Sequence, residues 1–316
     1  MPQILFVKTS SLGDVIHHCP AVSDAARNIP GIEVDWLLEE AFAPIARMHP
    51  NVRRAIPVQM RRWRASLGSA SAWSEMRAMR ATLRARHYDA VIDTQGLLKS
   101  AVLGALASGP KHGMDWTSAR EPLASLFYGH RHAVARNQHA VERNRQLTAA
   151  ALGYAAGGDC SYGLLAARIS PLGIDAPYAV LLTMTSRADK RWADAHWIRA
   201  GHEIAARGVR CVLPWGTEAE RVRAEAIARD IPRALVPPRL ALEEFGALFQ
   251  QARAVLGVDT GLTHLAAALG APVIGIYCAS DPALTGLHGS PRTQNIGGIG
   301  QTPDPARVIA VLSKFL

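Results

Sequence analysis

Asp259, Thr260 and Gly261 follow an apolar run at 254–258 and precede an alanine-rich segment at 262–269. This pattern predicts a buried strand and then a helix capped by Thr260. Helix N-termini carry unpaired N–H groups and a partial positive charge, and glycine lets a ligand come close, so the corner suits a phosphate. Asp259 and His264 add a carboxylate and an imidazole. An ordinary capped strand–helix corner is the alternative interpretation.

The segment 183–192 offers hydroxyl groups and cations at the end of another predicted strand. Thr185 and Ser186 supply hydroxyls, and Lys190 and Arg191 supply positive charge. A leaving diphosphate needs cations and hydrogen-bond donors, so we predict a diphosphate-binding loop, with a solvated basic loop as the alternative. The segment 213–220, at the end of the next strand and the start of a helix, carries Glu218 and Glu220, and a carboxylate there is suited to ribose hydroxyls.

The first predicted strand–helix loop carries a carboxylate among small residues. Asp14 follows Ser10, Ser11 and Gly13, at the point where a helix is expected to begin. A carboxylate there is either a helix cap or a general base. His17 and His18 are rival candidates for the base.

Basic residues are concentrated in the first half of the chain. Residues 1–155 hold 19 Lys/Arg and 12 Asp/Glu, a balance of +7, whereas residues 156–316 hold 16 and 14, a balance of +2. Arginine recognises phosphates and carboxylates through paired hydrogen bonds, so an anionic partner is expected, with a solvated helix face as the alternative. The basic residues concerned are Arg61, Arg62, Arg64, Arg77, Arg80, Arg84, Arg86, Lys99, Lys111 and Arg120.

Strands alternating with helices must position these residues. Strands are expected near Ile4–Val7, Glu33–Leu38, Ala90–Asp93, Tyr178–Met184, Val209–Leu213, Ala234–Val236 and Ala271–Tyr277, besides the run at 254–258. Helices are expected near Val15–Asn28, Ser74–Arg86, Leu97–Leu106, Asn137–Leu152, Ala193–Arg207, Glu218–Arg229 and Leu242–Gln250, and from Pro305 to the C-terminus. This alternation predicts an α/β protein with parallel sheets covered on both faces.

The segment Gly153–Asp175 interrupts the alternation and predicts a junction. We therefore expect two Rossmann-like domains, residues 1–160 and 161–316, with ligands held in a cleft between them. The C-terminal helix is a candidate for packing back on the first domain.

Composition and motifs exclude several classes of protein. The chain is 49% hydrophobic and 19% charged, its four cysteines are scattered, and it shows neither a signal segment nor a membrane-spanning run, so a cytoplasmic protein is expected. Neither G-x-G-x-x-G nor a Walker loop follows the first strand. The chain also lacks D-x-D and metal-type His/Cys spacing, so no obligatory divalent metal is expected.

Taken together, these residues resemble the lipopolysaccharide heptosyltransferases of glycosyltransferase family 9. The resemblance covers nearly the whole chain. Its stretches are 7–15, 35–40, 61–64, 88–97, 111–116, 119–128, 139–143, 189–190, 213–216, 259–264 and 281–282, of which 119–128 is the most specific.

The resemblance implies a GT-B fold and an inverting, metal-independent transfer of heptose from ADP-L-glycero-β-D-manno-heptose to Kdo-lipid A. It implies that Asp14 is the catalytic base. The implied nucleotide-sugar site consists of Thr185, Ser186, Lys190, Glu220, Leu240, Asp259, Thr260, Gly261 and His264. The expected acceptor site consists of Ser10, Ser11, Gly13, Arg61, Arg62, Arg64 and Arg120.

Three departures from the family pattern stand out. Leu240 replaces an expected Met beside the adenine, Ser186 replaces an expected Thr, and Cys278–Ser280 replaces a Gly-Pro-Thr-like stretch.

With an anionic glycolipid as acceptor, the protein is expected to be a monomer that docks peripherally on the cytoplasmic face of the inner membrane. Two alternatives stay open at this point. One is a related GT-B enzyme with another acceptor. The other is a nucleic-acid-binding protein, suggested by a pI near 9.8, although aromatic residues are not interleaved with the arginines.

Overall fold

The computed structural model describes residues 1–66, 68–166, 172–174 and 177–316. The chain forms two compact units, Met1–Leu164 and Leu165–Leu316. Each unit contains a parallel sheet with helices in the connections, so the predicted α/β class with two parallel sheets is confirmed. The predicted junction includes residues 167–171 and 175, which lie outside the described residues.

The sheet of the first unit has six parallel strands. They are β1 (Gln3–Val7), β2 (Glu33–Glu39), β3 (Val52–Val58), β4 (Ala90–Asp93), β5 (Lys111–Met114) and β6 (His130–His132). Their order, β3-β2-β1-β4-β5-β6, is that of the Rossmann fold. The apolar pattern predicts β1, β2 and β4 but misses the other three. Of these, β3 and β6 are edge strands with charged or polar side chains, as edge strands often are.

The helices of this unit differ from the prediction at one informative place. They are α1 (Leu12–Ile16), α2 (Cys19–Asn28), α3 (Ala43–Arg47), α4 (Met60–Ala65), α5 (Ala70–Arg84), α6 (Leu98–Ala105), a 3₁₀ helix (Pro122–Phe127) and α7 (Ala140–Leu152). The single helix expected near Val15–Asn28 is two helices. Pro20, near the start of α2, has no N–H to donate to the preceding turn, so it favours a new helix start.

The sheet of the second unit has five parallel strands. They are β7 (Tyr178–Leu182), β8 (Arg210–Val212), β9 (Ala254–Val258), β10 (Val273–Tyr277) and β11 (Thr293–Gly297), in the order β11-β10-β9-β7-β8. The strand expected at 234–236 is reduced to one bridge, in which the Leu235 amide donates to the Cys211 carbonyl at 2.8 Å. β11 was not predicted, because its sequence is largely polar.

The helices of the second unit are a 3₁₀ helix (Ala188–Lys190), α8 (Asp194–Ala206), α9 (Glu218–Arg229), α10 (Glu244–Gln251), α11 (Gly261–Ala268), α12 (Pro282–Thr285) and α13 (Pro305–Leu312). α11 folds back closely on β9 because Gly257 has no Cβ. A Cβ there would lie 2.2 Å from Oγ1 of Thr263, which donates to the Val258 carbonyl at 2.7 Å.

The final helix packs within the second unit. Val308 and Leu312 of α13 join the hydrophobic core that contains Trp197 of α8. None of the described helices is long and apolar enough to span a bilayer.

Candidate functional site

The carboxyl end of β1 holds what we call the Asp14 cluster, consisting of Lys8, Ser11, Asp14 and Arg120. Oδ2 of Asp14 accepts hydrogen bonds from the Ser11 amide at 3.0 Å and from Nη1 of Arg120 at 3.3 Å. The Asp14 side chain is 24% exposed. The carboxylate therefore stabilises the start of α1 and remains accessible to a substrate, so capping and catalysis are compatible.

Lys8 lies buried beside Asp14. Its Nζ donates to the Thr94 carbonyl at 2.9 Å and to Oδ1 of Asn144 at 3.3 Å. Burial lowers the pKa of Lys8 to about 8. Burial works against ionisation of Asp14 as well, but the positive charges of Lys8 and Arg120 and the Ser11 amide outweigh it and hold the pKa of Asp14 below its ordinary value. Asp14 is therefore ionised at neutral pH.

Gln95 shapes the loop that precedes Asp14. Its Oε1 accepts hydrogen bonds from the amides of Thr9 at 2.8 Å and Ser10 at 3.2 Å, and its Nε2 donates to the Ser10 carbonyl. Asp93 orients Gln95, because its Oδ1 accepts a hydrogen bond from the backbone amide of Gln95 at 2.8 Å. The sequence analysis did not single out Gln95. The available signal was its position two residues beyond β4, the strand next to β1.

The rival bases His17 and His18 are both buried. The ring of His18 packs against Phe6 and Trp36, with centroid distances of 4.6 and 4.9 Å. Burial lowers the pKa of His18 well below its usual range, so this imidazole is neutral. Of the three candidates, Asp14 is the one that is both charged and accessible.

Three basic side chains converge near the same edge of the first sheet. Nζ of Lys99 donates to Oγ of Ser10 at 2.9 Å. Burial raises the pKa of Glu39 at the end of β2, and the charges of Lys99, Arg61 and Arg64 partly oppose that rise. Arg64 and Lys99 also line one groove between α4 and α6.

Arg62 does not join this group. Its guanidinium forms an ion pair with Glu75 on α5, and the same carboxylate accepts a hydrogen bond from Nε1 of Trp63 at 2.8 Å. The sequence run Arg61–Arg64 could not separate these roles, because the separation depends on where α5 packs.

In the second unit, four side chains surround Asp259, and we call the five residues the Asp259 cluster. Oδ2 of Asp259 accepts from Nζ of Lys190 at 2.6 Å and from Oγ of Ser280 at 2.5 Å, and Oδ1 lies 3.3 Å from Nε2 of His264. Thr185 donates from Oγ1 to the Asp259 carbonyl at 3.3 Å. The order β10-β9-β7 brings these loops side by side.

The Asp259 carboxylate is ionised within this cluster. Burial favours its neutral form, but His264, Lys190 and Ser280 together hold the pKa of Asp259 well below its ordinary value. The sequence analysis did not predict a role for Ser280, which it names only within the stretch Cys278–Ser280 that departs from the family pattern. Its signal was position: it follows β10, the parallel neighbour of β9.

The strand–helix corner forms where the sequence predicts it, but the Thr260 side chain makes no capping hydrogen bond to α11. Thr260 occupies the N-cap of α11 with an extended backbone, and Gly261 is the first helical residue. Ser186 is exposed in the loop beside Thr185. Phosphate binding at this corner stays a prediction.

Of the remaining two donor-site candidates, Glu220 lies in the first turn of α9 and Leu240 lies on a loop. Oε2 of Glu220 accepts from the amides of Gly216 at 2.9 Å and Thr217 at 3.0 Å, which caps α9. Nε1 of Trp215 donates to the Pro237 carbonyl at 2.8 Å and so ties this loop to the segment that carries half-buried Leu240. No described hydrogen bond links Glu220 or Leu240 to the Asp259 cluster.

Metal-type clusters of three or more His, Cys, Asp or Glu side chains are absent from the described part of the chain.

The family model for glycosyltransferase family 9 (heptosyltransferase) matches residues 76–309, and the chain belongs to this family. The lipopolysaccharide heptosyltransferase 1 of Escherichia coli strain K12 is 48% identical over 292 residues, which cover 91% of this chain and 91% of that protein.

Two solved structures of the E. coli heptosyltransferase WaaC are also similar. The complex with ADP has a TM-score of 0.92 and 43% identity over 99% of this chain and 100% of that one. The complex with ADP-2-deoxy-2-fluoro heptose has a TM-score of 0.87 and 43% identity, and the match covers 99% of this chain and 98% of that one. The predicted family and its GT-B type fold are confirmed.

Proposed function

We propose that this chain transfers L-glycero-D-manno-heptose from ADP-heptose to the Kdo of Kdo-lipid A, the heptosyltransferase I reaction of the lipopolysaccharide inner core. The observation that carries the proposal is 48% identity across 91% of the chain to a protein named lipopolysaccharide heptosyltransferase 1. The chemistry of the two clusters is consistent with it.

The Asp259 cluster is the proposed donor site. As the bond between the sugar C1 and the phosphate oxygen breaks, negative charge grows on the departing ADP. The ammonium of Lys190 and the N-terminus of α11 are suited to stabilise that charge. Asp259 holds Lys190 and His264 in place, and Thr185, Ser186, Thr260 and Gly261 complete the surroundings of the diphosphate.

Glu220 and Leu240 are proposed to contact the nucleoside. Because Oε2 of Glu220 caps α9, a ribose hydroxyl would bind through Oε1. Leu240 would pack against the adenine.

Asp14 is the proposed general base. Inversion requires that the acceptor hydroxyl attack C1 while a base takes its proton. One C–O bond then forms as the C1–phosphate bond breaks, and the proton passes to Asp14. Asp14 is ionised and partly exposed, as the step requires.

The acceptor is proposed to bind around the Asp14 cluster. Arg61, Arg64, Lys99 and Arg120 would face Kdo carboxylates and lipid A phosphates, and Ser10, Ser11 and Gly13 leave room for a sugar. We now assign Arg62 to the contact between α4 and α5, because its guanidinium pairs with Glu75. We also propose that no metal is obligatory, and that the protein acts as a peripheral monomer at the cytoplasmic membrane face.

Mass spectrometry of the product tests the proposal directly. With ADP-heptose and Kdo-lipid A, the acceptor is expected to gain one heptosyl unit. An acceptor that already carries heptose should gain none. The reverse preference would contradict the proposal and indicate a heptosyltransferase II-type acceptor.

A further inference from the structure

The outer face of α6 is apolar. Leu98 and Val102, one helical turn apart, are 39% and 44% exposed, and Ala105 continues the same face. A surface helix ordinarily directs polar side chains to water, so an apolar outer face indicates that something other than water covers it.

The 3₁₀ helix Pro122–Phe127 extends this apolar surface. Leu123 is 53% exposed, Leu126 is 60% exposed and Phe127 is 39% exposed. Leu123 and Leu126 are three residues apart, which aligns them on one side of a 3₁₀ helix.

The two helices form one continuous, well-supported surface. Ala101 of α6 packs with Ala124 and Tyr128 in a buried cluster beneath it. Oε2 of Glu121 accepts a hydrogen bond from the Leu98 amide at 2.6 Å and ties the start of one helix to the start of the other. We call the surface formed by Leu98, Val102, Leu123, Leu126 and Phe127 the α6–3₁₀ face.

The concentration of exposed apolar residues here is unusual for this protein. Among the described residues, 12 large apolar side chains are exposed, and five of them lie on this face. Scattered exposed apolar residues are ordinary, but a contiguous patch marks an interaction site.

Basic side chains border the α6–3₁₀ face. A groove of about 610 Å³ runs between α4 and α6, and Arg64, Lys99 and Leu98 line it. Glu121, also at this groove, has its carboxylate engaged by the Leu98 amide. Apolar side chains beside Lys and Arg match an anionic bilayer, which offers an apolar interior below a layer of phosphates.

We propose that the α6–3₁₀ face is the surface by which this protein docks on an anionic lipid bilayer. Its apolar side chains enter the headgroup region, and the positive charges of Arg64 and Lys99 at its border attract the anionic bilayer surface. Lys99 also binds Ser10, so docking brings the loop that carries Asp14 to the membrane. This docking surface rests on the proposed function in one respect, namely that the acceptor is held in a membrane.

Vesicle co-sedimentation of the full-length protein tests the docking surface. The vesicles contain phosphatidylglycerol and phosphatidylethanolamine, or phosphatidylcholine alone. The wild-type protein should bind the anionic vesicles and bind the neutral ones far less. Leu126→Glu/Phe127→Glu places two carboxylates on the face, and we expect it to weaken anionic-vesicle binding by about tenfold or more. Leu123→Gln/Leu126→Gln should weaken binding less, since it adds no charge.

Val222→Glu is the matched control, because Val222 is an apolar residue of the second unit that is 57% exposed. It should bind vesicles as the wild type does. Absence of wild-type binding, equal binding to neutral vesicles, or full binding by both face variants would overturn the proposal. Sedimentation velocity of the same variants tests whether a second copy of the chain covers the face instead. If the wild type is a dimer and Leu126→Glu/Phe127→Glu is a monomer, the face is a dimer interface.

An activity assay with a deacylated, water-soluble Kdo acceptor separates this proposal from the proposed reaction. The face variants should retain wild-type turnover in that assay, because none of the substituted residues belongs to the Asp14 or Asp259 cluster. Loss of vesicle binding with full turnover supports the docking surface. Absence of turnover in the wild type, with vesicle binding intact, would contradict the proposed reaction alone.

Discussion

At the scale of single residues, Asp14 combines two tasks that the sequence alone presents as alternatives. Its Oδ2 stabilises the start of α1 through the Ser11 amide, and the nearby cations keep it ionised. Asp14→Asn retains a capping oxygen but removes the basicity. We expect normal folding, an unchanged KM for ADP-heptose and a kcat lower by roughly 10²–10⁴-fold in a steady-state assay. Ser11→Ala, which leaves the carboxylate in place, is the control. Near-normal turnover of a folded Asp14→Asn protein would reduce Asp14 to a cap.

Burial of Lys8 is expected to make the free energy of unfolding rise with pH. Its pKa is about 8 in the folded protein, against 10.5 for an ordinary lysine, because the ammonium is buried. Between these values the unfolded chain binds the proton and the folded chain does not, so stability rises with pH across that window. Below the pKa that Lys8 has in the folded protein, its ammonium is charged in both states, and the free-energy cost of burying that charge is fully present.

Urea unfolding of the wild type and Lys8→Met checks this linkage. The wild-type free energy of unfolding, relative to that of the variant, should rise by on the order of 3 kcal/mol between about pH 7.5 and about pH 10.5. Other titrating groups cancel in the difference. A difference that stays flat with pH would show that Lys8 titrates normally.

Lys190 is expected to act on the leaving group. Lys190→Ala should lower kcat by about 10²-fold, because a cation that stabilises departing ADP contributes most as the bond breaks. Ser280→Ala is the matched comparison in the same cluster, and it should have a smaller effect, since Lys190 and His264 still contact Asp259. Initial rates measured at varied ADP-heptose test both variants. If Lys190→Ala and the wild type have equal kcat and equal KM for ADP-heptose, Lys190 serves only as a structural partner of Asp259.

At the scale of elements, the sequence predicts what apolar periodicity and capping determine. The helix predicted at Glu218–Arg229 matches α9 to the residue, and in the structure Thr217 and Glu220 form a capping box at its start. The corner between β9 and α11 is likewise predicted from its apolar run and Thr260. Polar edge strands such as β3 and β11 carry no comparable signal. Ser280 and Gln95 also escape prediction, because their importance comes from strand neighbours that are distant in sequence.

Helix α4 shows the same limit and yields a test. Arg64 lines the groove beside Lys99, whereas Arg62, two residues earlier, pairs with Glu75. Arg64→Glu should therefore raise the KM for Kdo-lipid A by about tenfold and leave the KM for ADP-heptose unchanged. Arg62→Glu reverses the same charge but should mainly lower the melting temperature, because it opposes Glu75. Equal effects of the two variants on acceptor KM would mean that overall charge, not position on α4, governs acceptor binding.

At the scale of the whole molecule, the two units differ in their charge. The first unit carries most of the chain's positive balance, which suits an acceptor rich in phosphates and carboxylates. The second unit carries a smaller positive balance, and its proposed donor site places one ammonium, an imidazole and a helix N-terminus around Asp259. We propose that the Lys190 ammonium and the start of α11 supply positive charge to the departing diphosphate.

Chelation tests whether that charge is sufficient. A diphosphate leaving group needs positive charge from a divalent metal or from the protein. Lys190 and the start of α11 are the proposed source of that charge in this protein. We therefore expect heptosyl transfer to proceed at an unchanged rate in excess EDTA. Adding Mg²⁺ should change neither the rate of the EDTA-treated enzyme nor that of the untreated enzyme. Loss of activity in EDTA that Mg²⁺ restores would show that the diphosphate departs as a metal complex, and that Lys190 supplements the metal rather than replacing it.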